Sequence, residues 1–389
     1  MKILITTDLY VTSTNGVVTS VRNLYEELKE KGHDVRILTL SGKMDSYKEG
    51  DVYYIRSVSV GKIYPDVRMP ISFRSSLIRE LIKWKPDVIH SQCEFFSFQF
   101  AKRIARRTGA PLIHTYHTLY EQYVSYVIRS ERLGKTMVRR ISRKRLKKVD
   151  KIIAPTGKVE DALRGYGMHN EIEVVPSGIA LEQHHSRMVY EERMEKRRAL
   201  GIPDGNHVLL NLGRLGTEKN LEELLDYFAA ALVENFNLTF LIVGDGPDKM
   251  NLERMAVELD IDSHVIFTGM VAPSEVQEYY QLADVFVSAS TSETQGLTYI
   301  EAAANGLPLL CRKDPCLREV IKDGVNGYEY DTMEEFIEKL NHITVNSEWR
   351  DSAGKHSEEI AATFDKGHFA DTIEAIYESV LEDDFVEYT

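Results

Sequence analysis

Three cysteines in 389 residues, Cys93, Cys311 and Cys316, show no CxxC or Cys/His spacing. That excludes a disulfide framework and a structural zinc site, and reads as a chain kept in a reducing cytoplasm. Long apolar runs are also missing: none approaches the ~20 residues that span a bilayer. The opening MKILITTDLY reads as a first strand, since no long apolar region or small-residue cleavage site follows it. After that strand there is no GxGxxG fingerprint, so hydride chemistry on a dinucleotide has no support. An excess of basic charge is lacking as well, with 48 Lys/Arg against 60 Asp/Glu and a net charge of −12. That balance argues against a general nucleic-acid binder. What is present, 43% hydrophobic and 28% charged residues, is the composition of a soluble globular protein. The length suits two domains.

The charge is unevenly distributed. Residues 129–148 hold ten Lys/Arg against one acid, Glu131, so this segment carries +9 and the rest of the chain −21. Leu133, Met137 and Ile141 recur there at helical spacing, with Arg132, Lys135, Arg139, Arg140, Arg143 and Lys144 on both sides. Either the helix packs its narrow stripe on its own sheet beneath a solvated basic face, or it rests on an anionic lipid surface.

Strand and helix alternate along the first half. Short apolar strands are expected at 2–7, 35–40, 87–91, 111–115 and 151–154, with helices at 17–31, 75–83 and 98–107. The pattern restarts with strands at 207–213, 239–244, 264–268, 284–289 and 307–311 and helices at 221–232, 248–259, 273–282 and 298–305. Such alternation predicts two doubly wound α/β units in tandem. The expected division is 1–175 and 176–365, near VVPSGI, with a last helix from about 366 to 389 crossing back to the first unit. Ligands of such sheets bind beyond the carboxyl ends of the strands, which puts the expected site in a cleft between facing units.

Residues 283–304, ADVFVSASTSETQGLTYIEAAA, read as a buried strand, a polar turn and a helix that starts after Gly296. Glu293 lies in the turn and Glu301 in the helix, and the N–H groups of Gly296, Leu297 and Thr298 would face an anion. Carboxylates beside an anion hole suit a ligand with phosphates and hydroxyls, such as a nucleotide sugar. In LLNLGRLGTEKN, a strand ends at Gly213, and Arg214 and Lys219 precede a helix capped by Asn220. Two cations at a helix N-terminus make sense when a diphosphate sits between them. In the first half, Gly16 permits close approach to the first helix N-terminus. His117, nearer the strand end than His114 in HTYHT, is the better candidate for a ligand.

The GR…EK element, the two glutamates eight apart, the VGDGP turn at 243–247 and the PSGI linker together resemble the retaining GT-B glycosyltransferases of family 4. Within that family, SETQGLTYIEA and HTYHTLYEQYV are similar to the bacterial diacylglycerol glucosyltransferases, although ETQGL stands where EGFGL is usual. The resemblance implies a GT-B fold and transfer of glucose from UDP-glucose to the 3-hydroxyl of 1,2-diacylglycerol. It further implies retained anomeric configuration, no metal and no cofactor besides the nucleotide sugar. By the same resemblance, Arg214 and Lys219 neutralise the departing diphosphate and Glu293 holds the transferred sugar. Gln295, Gly296, Leu297 and Thr298 line the donor, Glu301 holds the ribose hydroxyls and Val271 contacts the base. His117 meets the sugar near its 6-hydroxyl, and Gly16 admits the diphosphate. The basic helix then acquires a membrane-docking role at the inner face of the cell membrane. Three readings stand beside this one: a family 4 enzyme with another acceptor, a sugar-nucleotide 2-epimerase, and a non-catalytic membrane- or nucleic-acid-binding module.

Overall fold

The computed structural model describes every residue except 11–14, 61–67, 123–129, 185–186 and 388–389. The chain forms two compact units, Met1–Ile179 with Lys366–Thr389, and Ala180–Asp365.

The first unit carries strands β1 (Lys2–Thr6), β2 (Asp34–Leu40), β3 (Tyr47–Glu49), β4 (Val52–Ile55), β5 (Ser57–Ser59), β6 (Arg68–Pro70), β7 (Val88–Ser91), β8 (Leu112–Thr115), β9 (Lys151–Ala154) and β10 (Ile172–Val174). Eight of them form one sheet in the order β10-β9-β8-β7-β1-β2-β4-β3, while β5 and β6 pair separately. Among the described residues, only β3 runs antiparallel in the large sheet, as an edge strand joined to β4 by the short Gly50 turn. Sequence alternation does not reveal β3 to β6, because these strands are only three or four residues long. In β1, Ile3 and Ile5 enter one apolar core and Leu4 the other, as the two-residue period of a strand covered on both faces requires.

Helix Gly16–Glu30 buries Val18, Val21, Leu24 and Leu28 at helical spacing; Asn15 caps it by accepting from Val18 N–H at 3.0 Å. The final helix, Lys366–Glu387, lays Phe369, Ala370, Ile373, Ile376 and Tyr377 on the same core. Glu374 accepts from Lys31 at 2.9 Å and meets His33 Nε2 at 2.7 Å, and Lys366 lies 3.1 Å from Glu27. The division between units falls after Ile179, beyond the 175 expected from the end of the strand pattern. Ser177 accepts from Ser20 at 2.9 Å, Gly178 O accepts from Asn23 at 2.9 Å and Ile179 O from Lys366 N–H at 3.1 Å, so the PSGI segment stays with the first unit.

The second unit carries β11 (His207–Leu212), β12 (Leu238–Val243), β13 (Val265–Gly269), β14 (Val285–Ser288), β15 (Leu309–Arg312) and β16 (Gly327–Tyr330). All run parallel in the order β13-β12-β11-β14-β15-β16. Every residue of β12, LTFLIV, is buried, the signature of a central parallel strand. Each large sheet reverses its direction of growth beside its first strand, between β1 and β7 in one unit and between β11 and β14 in the other. At such a switch point the loops leaving the two strands part to opposite faces and open a crevice.

Candidate functional site

The switch point of the second unit brings two sequence-distant loops together. Beyond β11 the chain passes Gly213 (φ 149°), Arg214 and buried Leu215, then makes a 3-10 turn at Thr217–Lys219. Beyond β14 it runs through polar residues to Gly296 and the helix Leu297–Ala304. Because β11 pairs with β14, the Lys219 ammonium donates to the Glu293 carboxylate, with side-chain exposures of 26% and 17%. Burial acts to lower Lys219, but the Glu293 carboxylate outweighs it and holds the ammonium above its ordinary value. Arg214 lies 3.7 Å from Glu218, whose side chain is only 4% exposed. Sequence reading overlooked Glu218, which supplies a carboxylate beside a cation expected to face an anion.

Asn220 differs from its expected role. It adopts a left-handed conformation (φ 54°) and gives the helix Leu221–Glu234 no side-chain cap, its amide donating instead to Glu223 at 2.9 Å. The VGDGP turn has a structural reason: a Cβ on Gly244 would lie 1.8 Å from Gly213 O, and one on Gly246 2.1 Å from Leu215 O. Leu215 N–H donates to Asp245 O at 3.0 Å, so this turn seats the Arg214 loop.

Gly296 opens its helix at φ 76°, and a Cβ there would meet Tyr299 Cδ2 and Cε2 at 2.5 Å. Tyr299 is locked beneath by its hydroxyl, 3.0 Å from Ser288 Oγ. No side chain caps this helix start, which leaves the segment at Leu297 and Thr298 suited to an anion. Gln295 beside it is buried. Glu301, on the next turn, accepts from the buried Tyr280 hydroxyl at 2.8 Å, and that hydroxyl also reaches Thr298 O at 3.4 Å. Burial pushes the Glu301 carboxyl up to about 7, against the pull of the Tyr280 O–H. Glu293 and Glu301 therefore have different surroundings, one facing a cation and the other a phenol. Val271 is half-buried, two residues past β13.

In the first unit, Gly16 is the exposed first residue of its helix; of the loop before it, residues 11–14 lie outside the described residues. His117 follows β8 and its Nε2 lies 2.7 Å from Gln92 Oε1, an amide just beyond β7. Burial, with His114 adding, pushes His117 down to about 3, so the ring is neutral at physiological pH. His114 is fully buried, 3.2 Å from Glu94 Oε1, while Tyr120 donates to Glu94 Oε2 at 2.6 Å. That network makes His114 structural. Among the described residues, no group of three or more His, Cys, Asp or Glu side chains could hold a metal ion.

The basic segment forms the helix Glu131–Leu146. It turns Gly134, Ser142 and Leu146 inward and leaves Leu133, Met137 and Ile141 70%, 47% and 41% exposed. The apolar stripe is thus not packed on the sheet. Arg132, Arg139, Arg140, Arg143 and Lys144 are exposed and Lys135 is half-buried; Arg139 donates to Glu121. Arg129 and residues 123–124 of the HTYHTLYEQYV motif lie outside the described residues. Among the described residues, no helix is long and apolar enough to cross a membrane.

A family model described as Glycosyltransferase Family 4 matches residues 14–183, and one described as Glycosyl transferases group 1 matches residues 192–360. An alpha-monoglucosyldiacylglycerol synthase of Streptococcus pneumoniae is 39% identical, over 85% of this chain and 75% of that protein. A protein of the same description from Acholeplasma laidlawii is 32% identical over 98% of both chains. Among solved structures, Anabaena HepE in complex with UDP and glucose matches with a TM-score of 0.78 at 16% identity, covering 97% of this chain and 100% of its own.

Proposed function

Because the chain belongs to the family 4 glycosyltransferases and has their GT-B fold, we propose that it transfers glucose from UDP-glucose to the 3-hydroxyl of 1,2-diacylglycerol. The observation that carries this reading is the pairing of Lys219 with Glu293 at the second unit's switch point, beside an uncapped helix start. A donor diphosphate adds the negative charge that Arg214, Lys219 and the N–H groups of Leu297 and Thr298 are placed to share. As the sugar–phosphate bond breaks, that charge grows on the leaving oxygen, where fixed cations lower the barrier most. Arg214 and Lys219 supply the charge that a metal ion supplies in other transferases. Glu293 holds the sugar, His117 receives its 6-hydroxyl as a neutral ring and Gly16 admits the diphosphate. Gln295 lines the donor, and Val271 meets the base through its backbone. Glu301 binds ribose, whose hydroxyls donate to the carboxylate and favour its ionised form.

Retention follows from attack on the face the diphosphate leaves. The acceptor oxygen bonds to the anomeric carbon as the carbon–phosphate oxygen bond breaks, and the hydroxyl proton passes to the departing phosphate. Diacylglycerol does not dissolve in water, so the enzyme must reach the bilayer. Outward-facing Leu133, Met137 and Ile141 between rows of cations suit that task as a peripheral contact on the inner membrane face. Each near-surface Lys or Arg contributes about 1 kcal/mol on anionic lipid. The test is radiolabelled UDP-glucose with anionic vesicles that carry or lack diacylglycerol. Lipid-extractable α-glucosyldiacylglycerol is expected only with the acceptor. Release of UDP with no lipid product, or preference for UDP-galactose or UDP-N-acetylglucosamine, overturns the acceptor or the sugar respectively.

A further inference from the structure

Outside the donor residues, the carboxyl edge of the first unit holds a polar cluster with several unmatched atoms: Asp8 Oδ2 and Gln92 Nε2, beside Thr6 Oγ1, Ser97 Oγ and His114 Nδ1. Register places Thr6 opposite Ser91, so Asp8 and Gln92 leave β1 and β7 side by side, and Gln92 N–H donates to Thr6 O at 2.8 Å. Asp8 Oδ1 accepts from Ser97 N–H at 2.7 Å, but the enclosed Oδ2 has no hydrogen-bond partner. Gln92 is 2% exposed; its Oε1 is matched by His117 while its Nε2 has no partner. Neighbouring Glu94, by contrast, has both oxygens engaged, by His114 and Tyr120.

Unmatched buried polar atoms are costly, and native structures rarely keep them without a ligand or water to fill them. Asp8 Oδ2 and Gln92 Nε2 differ in kind: a carboxylate oxygen that can only accept, and an amide N–H that can only donate. A hydroxyl group both donates and accepts, so a single one can answer both at once. A phosphate does not suit Asp8 Oδ2 itself, because it would set a second negative charge directly against that carboxylate. Burial pushes the Asp8 carboxyl up to about 6 against the Ser97 N–H, and Glu94 adds to the rise. A donated O–H would relieve that strain.

We propose that Asp8 and Gln92 form a hydroxyl-binding subsite on the first unit. On the reading given above, the hydroxyl belongs either to the glycerol of the acceptor or to the glucose being transferred. Asp8 would orient it by accepting its proton in a hydrogen bond, and Gln92 would hold its oxygen. The bond from Gln92 Oε1 to His117 fixes the amide so that its N–H points one way.

Asp8→Asn and Gln92→Leu test the assignment, each checked for folding by circular dichroism and thermal melting. Loss of a charge-assisted hydrogen bond is expected to raise one KM by about 10- to 100-fold in Asp8→Asn, and by less in Gln92→Leu. A rise in the KM for diacylglycerol identifies the acceptor hydroxyl; a rise in the KM for UDP-glucose identifies the sugar hydroxyl. If both constants stay within about twofold of wild type in the folded variants, the two atoms serve an ordered water and the proposal is overturned. Wild-type protein that glucosylates no diacylglycerol would sink the acceptor reading separately. The subsite is then judged by the KM for UDP-glucose hydrolysis alone.

Discussion

Replacing Glu301 by Gln should make the protein more stable and less able to hold its donor. The Glu301 carboxyl titrates near 7 in the fold against an ordinary 4.5, because burial penalises its charge. In the folded state it therefore binds a proton that the unfolded chain has released, throughout the interval from 4.5 to about 7. Stability from this group is full below 4.5 and is lost as pH rises through about 7. At about 1.4 kcal/mol per pH unit, the loss amounts to about 3 kcal/mol. Gln keeps the acceptor oxygen for Tyr280 and carries no charge, so the variant should not show this loss. Unfolding of both proteins, followed at pH ~5 and pH ~8, should give curves that converge in acid. The variant should lead by up to about 3 kcal/mol in base, or about 6–12 °C for a unit of this size. UDP-glucose should raise the wild-type midpoint and leave the variant nearly unmoved. A variant no more stable than wild type at pH ~8, or a difference that ignores pH, would refute the idea that a buried ionised carboxylate is kept here for binding.

The other expectations concern its neighbours. Tyr280→Phe keeps the ring but removes the O–H that steadies Glu301, so the donor KM should rise severalfold at pH ~7 and recover in more alkaline buffer; a pH-independent rise would mean mere loss of packing. Lys219→Met removes the charge proposed to face the diphosphate and strands Glu293, and turnover should fall a hundredfold or more, about 3 kcal/mol; near-normal turnover would remove the diphosphate role. Gly296→Ala forces a side chain into the left-handed region against the Tyr299 ring, costing at least ~1–2 kcal/mol of stability along with donor affinity; an unchanged melting curve would contradict the close approach. Exchanging Arg140, Arg143 and Lys144 for Gln should weaken adsorption to anionic vesicles. Salt should do the same as the Debye length shrinks from ~10 Å to ~3 Å, and adsorption that ignores both would leave the helix an ordinary solvated face.

Much of this was legible in the residues themselves. Apolar runs at strand length, such as LTFLIV, and amphipathic helices between them follow from local periodicity, and most observed strands lie within one or two residues of the expected spans. Gly296 announced a helix start because only glycine sits easily at φ 76°. The strands of the edge hairpin, β16 and the helices Gly157–Gly165, Tyr190–Ala199, Met333–Val345 and Ser347–Ala362 lay outside the expected spans.

Periodicity, however, is blind to contacts between distant residues. That Lys219 meets Glu293, 74 positions away, depends on the strand order β11-β14. That Glu301 is buried and meets the Tyr280 hydroxyl depends on how the helix Val276–Leu282 packs beside that sheet. Leu133, Met137 and Ile141 read equally well as a core stripe or a surface one, since helical spacing fixes a common face but not its direction. Asp8 and Gln92 carried no motif at all. Their interest lies in two unmatched atoms, and whether a buried donor or acceptor is satisfied is decided only when the chain has brought every possible partner to its place.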